Sequence, residues 1–352
     1  MASLAEEYLK SFKFSNEEGS TLRAIGEHRG RQELFIKQSP EALESLKQVA
    51  MIESSESSNR LEGITASHKK IEALVLKKTM PGNRSEREIA GYRDGLALIH
   101  ESGEHMEFST NVILQLHAML YRYMPNEGGR WKMTDNEIVE RNPDGTIARV
   151  RFKPTPAVTT PFAMEELAKN YKYAIHNLQE EPLIVVPLAI LDFLCVHPFT
   201  DGNGRSARLL TLLLLYHFNY QVGKYISLER IFEESKESYY ETLQHSSQGW
   251  HENKHDAMPW LNYFWGTLLR AYKEFESRVG TIRAGRGSKT DQIMKAVDRR
   301  INPFSISDIE GDCPRVGRDM IRIILNRLRT EKKLTLQGKG RAAKWIKKQE
   351  RE

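Results

Sequence analysis

Residues 197–208 read His197-Pro198-Phe199-Thr200-Asp201-Gly202-Asn203-Gly204-Arg205-Ser206-Ala207-Arg208. An apolar segment typical of a buried helix ends at Val196 just before them. Pro198 disfavours helical geometry at His197, so the chain is expected to leave the helix there. Residues 202–204 then supply backbone freedom in front of a second predicted helix, whose first N–H groups can form an anion-binding site.

Charged side chains in this segment suit a phosphate ligand. Arg205 and Arg208 are three residues apart on the second helix, hence on one face near its N-terminus. Positive charge there opposes the helix dipole, and an anion bridging both guanidinium groups and the backbone would remove the conflict. Asp201 is a hard oxygen ligand suited to Mg²⁺ between two phosphates. His197 is a candidate general base whose neutral form is populated near pH 7.

The segment resembles the Fic (Fido) motif, HPFx[D/E]GNGRxxR, with every defined position present. The resemblance extends from about Asn59 to about Trp265. It includes residues 113–117, which are similar to the family's I-x-x-L-H pattern, and Tyr239-Tyr240, which is similar to the tyrosine pair after the motif helix. It implies a mainly α fold, the Fic helical bundle with a small β-hairpin flap, followed here by a C-terminal winged helix domain.

The resemblance implies a protein adenylyltransferase, which moves AMP from ATP to a hydroxyl of a target protein, or of the chain itself, and releases pyrophosphate. His197 would deprotonate the hydroxyl, and Asp201 would hold Mg²⁺ between the α- and β-phosphates. Tyr240 would lie against the nucleoside, and the two motif arginines would hold the β- and γ-phosphates. The nucleotide-binding motif residues would be Gly202, Asn203, Gly204, Arg205, Ser206, Ala207 and Arg208.

A second segment, Ser58-Asn59-Arg60-Leu61-Glu62-Gly63, resembles the family's inhibitory motif, [S/T]xxxE[G/N]. The resemblance implies that Glu62 pairs with Arg208 and that Ser58 belongs to the same inhibitory element. A guanidinium engaged by a carboxylate cannot also clamp a γ-phosphate, so the pair would act as a brake. Four serines at positions 54, 55, 57 and 58 would otherwise suggest a loop here.

Four parts are expected along the chain. Residues 1–110 form an N-terminal helical region with the inhibitory motif, and residues 111–279 form the catalytic core. Residues 280–290 are Gly-rich and basic and predict a linker. Residues 291–348 form the C-terminal domain.

Two further patterns concern strands and the C-terminal domain. In the core, residues 138–139 and 147–152 flank an Asp-Gly turn signal, which predicts a β-hairpin. In the C-terminal domain, helices at residues 291–301, 306–311 and 316–331 precede a hairpin at residues 333–346. This order is typical of a winged helix-turn-helix, whose basic third helix would be the recognition helix.

Charge is uneven along the chain. Residues 281–352 carry 19 Lys and Arg against 9 Asp and Glu, although the whole chain has a net charge of only +5. This asymmetry raises the prospect of a DNA contact in the tail. The apolar runs are too short for a membrane span, and two cysteines make no disulfide framework, so a cytoplasmic protein without membrane contact is expected.

Several alternatives stay open at this stage. Removal of AMP from a modified target, with Glu62 positioning water, is a second enzymatic hypothesis. An ATP-sensing DNA-binding regulator is a hypothesis of another class, although a sensor has no need for His197. Transfer of a different phosphate-containing group fits less well, because the glycine-asparagine-glycine loop is intact. Relatives with an N-terminal inhibitory helix often dimerise, so a homodimer is also open.

Overall fold

A computed structural model describes residues 3–347, apart from residues 39, 78, 126–127, 142–143, 145, 286–287, 299, 301–302, 314–315, 332 and 339–342. The described backbone is mainly α-helical, as predicted, and its strands form two separate antiparallel hairpins. The chain divides into two compact units, residues 1–276 and residues 277–352. None of the described helices is both long and apolar enough to cross a bilayer.

Most of the first unit consists of helices. Their ranges are α1 Glu6–Leu9, α2 Asn16–Gln38, α3 Pro40–Leu61, α4 His68–Leu76, α5 Arg84–Ser102, α6 Thr110–Leu120, α7 Thr160–His176, α8 Pro182–Val196, α9 Asn203–His217, α10 Leu228–Glu234, α11 Lys236–Ser247 and α12 Met258–Gly285. Helix α12 runs into the predicted linker, because residues 281–284 contain neither Gly nor Pro to stop it. The segment 280–290 is therefore helical at residues 280–285 and 288–290 rather than irregular.

Helices α8 and α9 are the most deeply buried elements of the first unit. Helix α8 accommodates Pro187, which lacks the N–H that would bond to the carbonyl oxygen of Leu183. That oxygen instead accepts a hydrogen bond from Trp265 Nε1 at 2.7 Å. The helix thus continues to Val196, where the catalytic segment begins.

Helix α3 continues through the four serines that alone are typical of a loop. All four are buried. Ser54 Oγ donates to Glu229 Oε2 at 2.7 Å, and Ser58 Oγ accepts from Arg208 Nε at 2.8 Å. Because distant partners engage the hydroxyl groups of Ser54 and Ser58, these two do not compete for the helix backbone.

The predicted hairpin consists of β1 Ile138–Arg141 and β2 Ile147–Phe152. The strands are antiparallel, with Val139 opposite Val150 and two irregularities in the register. Three residues of the predicted turn, at positions 142, 143 and 145, lie outside the described residues. The hairpin thus lies where the flap is expected, between α6 and α7.

The second unit has its own apolar core, which includes Phe304, Ile321, Leu325 and Trp345. Its elements are α13 Ser288–Asp298, α14 Ile306–Asp312, α15 Arg318–Thr330, β3 Leu334–Gln337 and β4 Lys344–Lys347. Ser305 begins α14 with a reciprocal cap, in which Asp308 accepts from the Ser305 backbone N–H at 2.7 Å. The elements follow the predicted order, and the winged-helix assignment itself stays a prediction.

Candidate active site

The loop between α8 and α9 carries the predicted catalytic segment. His197 ends α8 in the left-handed backbone region, with φ 49°. Phe199 is fully buried and anchors the loop. Its N–H donates to Asn203 Oδ1 at 2.9 Å, and its carbonyl oxygen accepts from Asn203 Nδ2 at 2.7 Å. This pair of bonds fixes the path of the loop before α9 begins.

His117 on α6 supports the same loop. Its ring stacks on Phe199, with the ring centroids 3.6 Å apart. Nδ1 accepts from the Gly129 N–H at 2.8 Å, so Nε2 carries the proton and donates to the carbonyl oxygen of Asp201 at 3.0 Å. Burial lowers the pKa of His117 to about 4 and keeps the ring neutral. His117 therefore positions the backbone of Asp201.

Lys132 and Asn136 also hold the loop, and no sequence pattern points to them. Lys132 Nζ donates to the carbonyl oxygen of Val196 at 3.2 Å and to Asn136 Oδ1 at 2.8 Å. Asn136 Nδ2 donates to the carbonyl oxygen of Phe199 at 3.1 Å. Burial lowers the pKa of Lys132 to about 8. Their partners lie 64 and 63 residues further along the chain, beyond the reach of local spacing rules.

The orientation of His197 makes Nε2 its proton-accepting nitrogen. Nδ1 lies 3.3 Å from the carbonyl oxygen of Leu194. A carbonyl oxygen only accepts, so Nδ1 carries the proton and Nε2 keeps the lone pair that a general base needs. Burial lowers the pKa of His197 to about 4, and the charge of Lys132 adds to this effect. The imidazole is thus neutral near pH 7.

Asp201 offers an accessible carboxylate, with its side chain 63% exposed. Oδ1 accepts from the Gly202 N–H at 2.7 Å, and Oδ2 lies 3.6 Å from Arg205 Nη2. Partial burial raises the pKa of Asp201, but the Tyr121 hydroxyl, the Arg205 charge and the Gly202 N–H together lower it below its usual value. No group of three or more His, Cys, Asp or Glu suited to a metal occurs among the described residues. One carboxylate still fits Mg²⁺, which commonly takes its other ligands from phosphates and water.

The segment that resembles the inhibitory motif, at the end of α3, holds Arg208. The arginine side chain is 2% exposed, and its Nε donates to Ser58 Oγ at 2.8 Å. Its Nη2 donates to the Ser58 carbonyl oxygen at 2.8 Å and to Glu62 Oε1 at 2.7 Å. Glu62 approaches α9 so closely that a Cβ added at Gly204 would lie 2.3 Å from Oε1. The structure therefore brings Ser58, Glu62 and Arg208 together.

Arg205 points elsewhere, although it shares the N-terminal turns of α9 with Arg208. Its side chain is 1% exposed, and Nη1 donates to Glu88 Oε2 on α5 at 2.7 Å. The guanidinium carbon lies 5.7 Å from the centroid of the Tyr121 ring. Glu88 thus supplies an anionic partner for Arg205, which is not among the residues that line the cavity described below, and its contact with a phosphate stays a prediction. The side chains of Ser206 and Ala207 are also buried and lie away from this cavity.

A cavity of 290 Å³ joins the remaining predicted residues. Its lining includes Glu62, His197, Asp201, Gly202, Asn203, Gly204, Arg208 and Tyr240. The hairpin contributes Ile138 and Phe152, and α11 contributes Leu243. Ser58 holds Arg208 from behind and is not part of the lining. An anion-binding loop beside apolar and aromatic surface suits a nucleotide.

Comparison with known proteins agrees with this geometry. Residues 107–215, which include the catalytic loop and the helices on both sides of it, match the Fic/DOC family. The chain contains a Fic domain.

Two curated Fic relatives show the extent of the similarity. The chain is 26% identical over 265 residues to "Protein adenylyltransferase fic-1" of Caenorhabditis elegans, which covers 72% of this chain and 46% of the relative. It is 26% identical over 219 residues to "Protein adenylyltransferase Fic" of Nematostella vectensis, which covers 58% of this chain and 44% of the relative. The chain thus spans less than half the length of these relatives.

Solved structures share the fold. A Fic family protein from Desulfovibrio desulfuricans G20 superimposes with a TM-score of 0.64 at 20% identity, over 97% of this chain and 98% of that one. A fragment of Fic-1 from C. elegans gives a TM-score of 0.56 at 22% identity, over 75% and 72% of the two chains. These structures confirm the predicted Fic helical fold.

A buried carboxylate keeps α3 in position opposite the Fic motif. Glu229 on α10 is 1% exposed and accepts from Ser54 Oγ and from the Tyr92 hydroxyl, both at 2.7 Å. This network joins α3 to α5 and α10, and thereby fixes Ser58 beside Arg208. Nothing in the local sequence distinguishes Glu229 from a solvent-facing glutamate in the first turn of a helix.

Proposed function

We propose that this chain is a protein adenylyltransferase, which moves AMP from ATP to a hydroxyl group of a protein, and that Glu62 restrains it. One observation carries the proposal. A single cavity contains neutral His197, accessible Asp201 and the loop 202–204, and in its wall Glu62 occupies Arg208. The names of the curated relatives, which are protein adenylyltransferases, support the same activity.

His197 would act as the general base. Its Nε2 takes the proton of the acceptor hydroxyl as that oxygen bonds to the α-phosphorus, and the bond from the α-phosphorus to the oxygen bridging to the β-phosphorus breaks. The products are an AMP ester of the target and pyrophosphate, and His197 afterwards returns its proton to water. A base of such low pKa is weak, so the fixed orientation of the ring supplies much of its effect.

The ATP phosphates would bind at residues 202–204, where the N-terminus of α9 favours anions. Asp201 would hold Mg²⁺, which neutralises charge that develops on the phosphates. Arg208 would clamp the terminal phosphates after it leaves Glu62. Arg205 would act differently, by holding the loop through Glu88, since its guanidinium is buried away from the cavity.

ATP labelled at the α-phosphate tests the proposal. The chain is incubated with it and Mg²⁺, alone and in cell lysate, beside a parallel sample with γ-labelled ATP. We expect protein bands to take up only the α-label. Bands labelled from the γ-position alone would show phosphate transfer instead. Absence of either label with the parent and with Glu62→Gly protein alike would count against any transfer.

Removal of AMP is a second candidate reaction at the same site. Glu62 lines the cavity together with His197, so its carboxylate could orient water towards an AMP ester. A target labelled by Glu62→Gly protein, and then purified, should lose its label when parent protein is added. It should keep the label with more Glu62→Gly protein, and equal loss with both would contradict a role for Glu62.

The pH dependence of transfer offers an independent test of His197. Its pKa is lowered from 6.5 to about 4, so the base stays unprotonated down to about pH 5. Transfer by Glu62→Gly protein is expected to vary little between about pH 8 and about pH 5.5.

The unfolded imidazole gains its proton at a higher pH than the folded one, so His197 favours unfolding as pH falls below about 6.5. Circular dichroism at each pH therefore has to accompany the rates, and a decline in rate centred near pH 6.5 with intact fold would refute the assignment.

Exposed arginines in the second unit favour a separate role for this unit in DNA binding. Helix α15 packs an apolar face into the core and leaves four arginines exposed, with Arg318, Arg322 and Arg329 on one side of the helix and Arg327 on the other. This arrangement suits contact with phosphates in a groove. These exposed arginines are the observation that supports a nucleic-acid function in addition to the enzymatic one.

Duplex DNA affinity of the full chain is expected to fall steeply as salt increases, because phosphate contacts release counterions. Titrations at two salt concentrations measure this slope. Replacing Arg322 and Arg329 together with Gln should flatten it by roughly two released ions. Arg122→Gln, which changes an exposed arginine of the first unit, is the matched control. If the parent does not bind duplex DNA at low salt, the second unit would be expected to bind a protein partner instead.

A further inference from the structure

A groove of 550 Å³ adjoins the nucleotide cavity at the Fic loop. Thr200 and Asp201 line both spaces. The rest of the groove is formed by residues that do not line the nucleotide cavity. They belong to the first turns of α5, the end of α6 and the segment that leads into β1. The reactions proposed above leave this groove without a role.

The groove is positively charged. Arg84, Arg87 and Arg130 line it, and Asp201 is the one carboxylate among its described lining residues. The Asp201 carboxylate already has Arg205 Nη2 at 3.6 Å. Arg84 Nε donates to Glu88 Oε1 at 3.0 Å, yet its side chain remains 78% exposed. Most of the Arg84 side chain is thus accessible to an anionic ligand.

Apolar side chains line the same groove. Met133 is 90% exposed, and Trp131 and Met124 lie with it in the lining. Exposure of a methionine next to a tryptophan leaves apolar surface in water, which is unfavourable. Such surfaces often mark binding sites, since a methionine side chain adapts to varied partners. Alternating cationic and apolar groups suit a peptide better than a small anion.

We propose that this groove binds acidic and apolar residues of the target protein next to its acceptor hydroxyl. The inference rests on the proposed AMP transfer. The acceptor oxygen must reach the α-phosphorus beside His197, so the neighbouring target residues have to leave the cavity along its rim. The groove continues from that rim at Thr200 and Asp201, and it follows the segment before β1. The substrates are therefore proteins with Asp or Glu within a few residues of the acceptor.

Peptide binding to the full chain tests this assignment without requiring transfer. The probes are a short fluorescein-labelled peptide with one threonine, an adjacent leucine and flanking Asp and Glu residues, and its twin with Asn and Gln in their place. Fluorescence anisotropy gives the affinity of each. We expect the acidic peptide to bind more tightly to the parent, with a preference that shrinks as salt is added. In Arg87→Gln protein the acidic peptide should bind roughly fivefold more weakly, with little change for the neutral twin.

Two further variants complete the test. Arg122→Gln removes an exposed arginine that does not line the groove, and it should keep the full preference. Met133→Ala should weaken both peptides to a similar extent, because it removes apolar contact and no charge. Equal affinity of the two peptides for the parent, or an acidic preference that survives Arg87→Gln, would overturn the inference. So would a single-stranded oligonucleotide that binds in an Arg87-dependent way while the peptides do not discriminate.

The labelling assay with α-labelled ATP, run on the same preparations, separates the two levels of inference. Acid-selective binding without any labelling would speak against AMP transfer, and the groove would then stand only as a binding site for acidic peptides. Labelling without acid-selective binding would leave the transfer standing and remove the groove assignment.

Discussion

Glu62→Gly protein is expected to label itself or a target with AMP roughly 5–150-fold more than the parent does, the range typical of a coupling of about 1–3 kcal/mol. Arg208 is at present engaged through Nε and Nη2, with bonds of 2.7–2.8 Å to Glu62 and Ser58. Removal of the carboxylate frees one of its N–H groups for the terminal phosphates of ATP. It also removes a negative group from the side of Gly204, where the phosphates would bind. Initial rates with α-labelled ATP measure the gain.

Two controls separate this effect from damage to α3. Glu56→Gly changes a glutamate inside α3, which pairs with Arg60 rather than with Arg208, and it should leave the rate near that of the parent. The double variant Glu62→Gly with Arg208→Ala should lose the gain, because the phosphate clamp is then missing. Unchanged or reduced labelling in folded Glu62→Gly protein would eliminate the inhibitory role of Glu62.

Loss of His197 is expected to reduce transfer by about 10²–10⁴-fold in the Glu62→Gly background, which is the typical contribution of a general base. Nucleotide binding should persist, because Phe199, Asn203 and His117 hold the loop without His197. The backbone at this position is left-handed, with φ 49°, and asparagine tolerates that region better than alanine does. His197→Asn is therefore a better test than His197→Ala, since it removes the base and keeps the turn.

Transfer rates and nucleotide affinity, measured on the same protein, distinguish the outcomes. His251→Asn is the matched control, because His251 is an exposed histidine whose Nε2 contacts the carbonyl oxygen of Lys153 outside the cavity. A His197→Asn protein that transfers AMP at the parental rate would mean that another group accepts the proton. A parallel loss of nucleotide binding would mean that His197 holds the loop instead.

Glu62 illustrates what a motif can indicate before a structure is known. Its resemblance to the inhibitory pattern led to the expectation of a contact with Arg208, and the two side chains do lie 2.7 Å apart. The reason for that contact is not in the motif. Tyr92 and Glu229, on two other helices, fix the buried part of α3, and only their packing shows how the motif is held. The regulatory consequence remains to be measured.

The sequence by itself determined the local course of the catalytic loop. Pro198 and Gly202 act on their own backbone and on immediate neighbours, so a helix end, a turn and a new helix start follow from them in any fold. Local rules of sequence did not determine the partner of Arg205, and only the tertiary structure pairs it with Glu88, 117 residues away. The pairing of Arg208 with Glu62, 146 residues away, was expected from the resemblance to the inhibitory motif, and the structure shows the packing that brings it about. The physical reason is that a buried guanidinium goes to whichever carboxylate packing places beside it, and packing is a property of the whole chain.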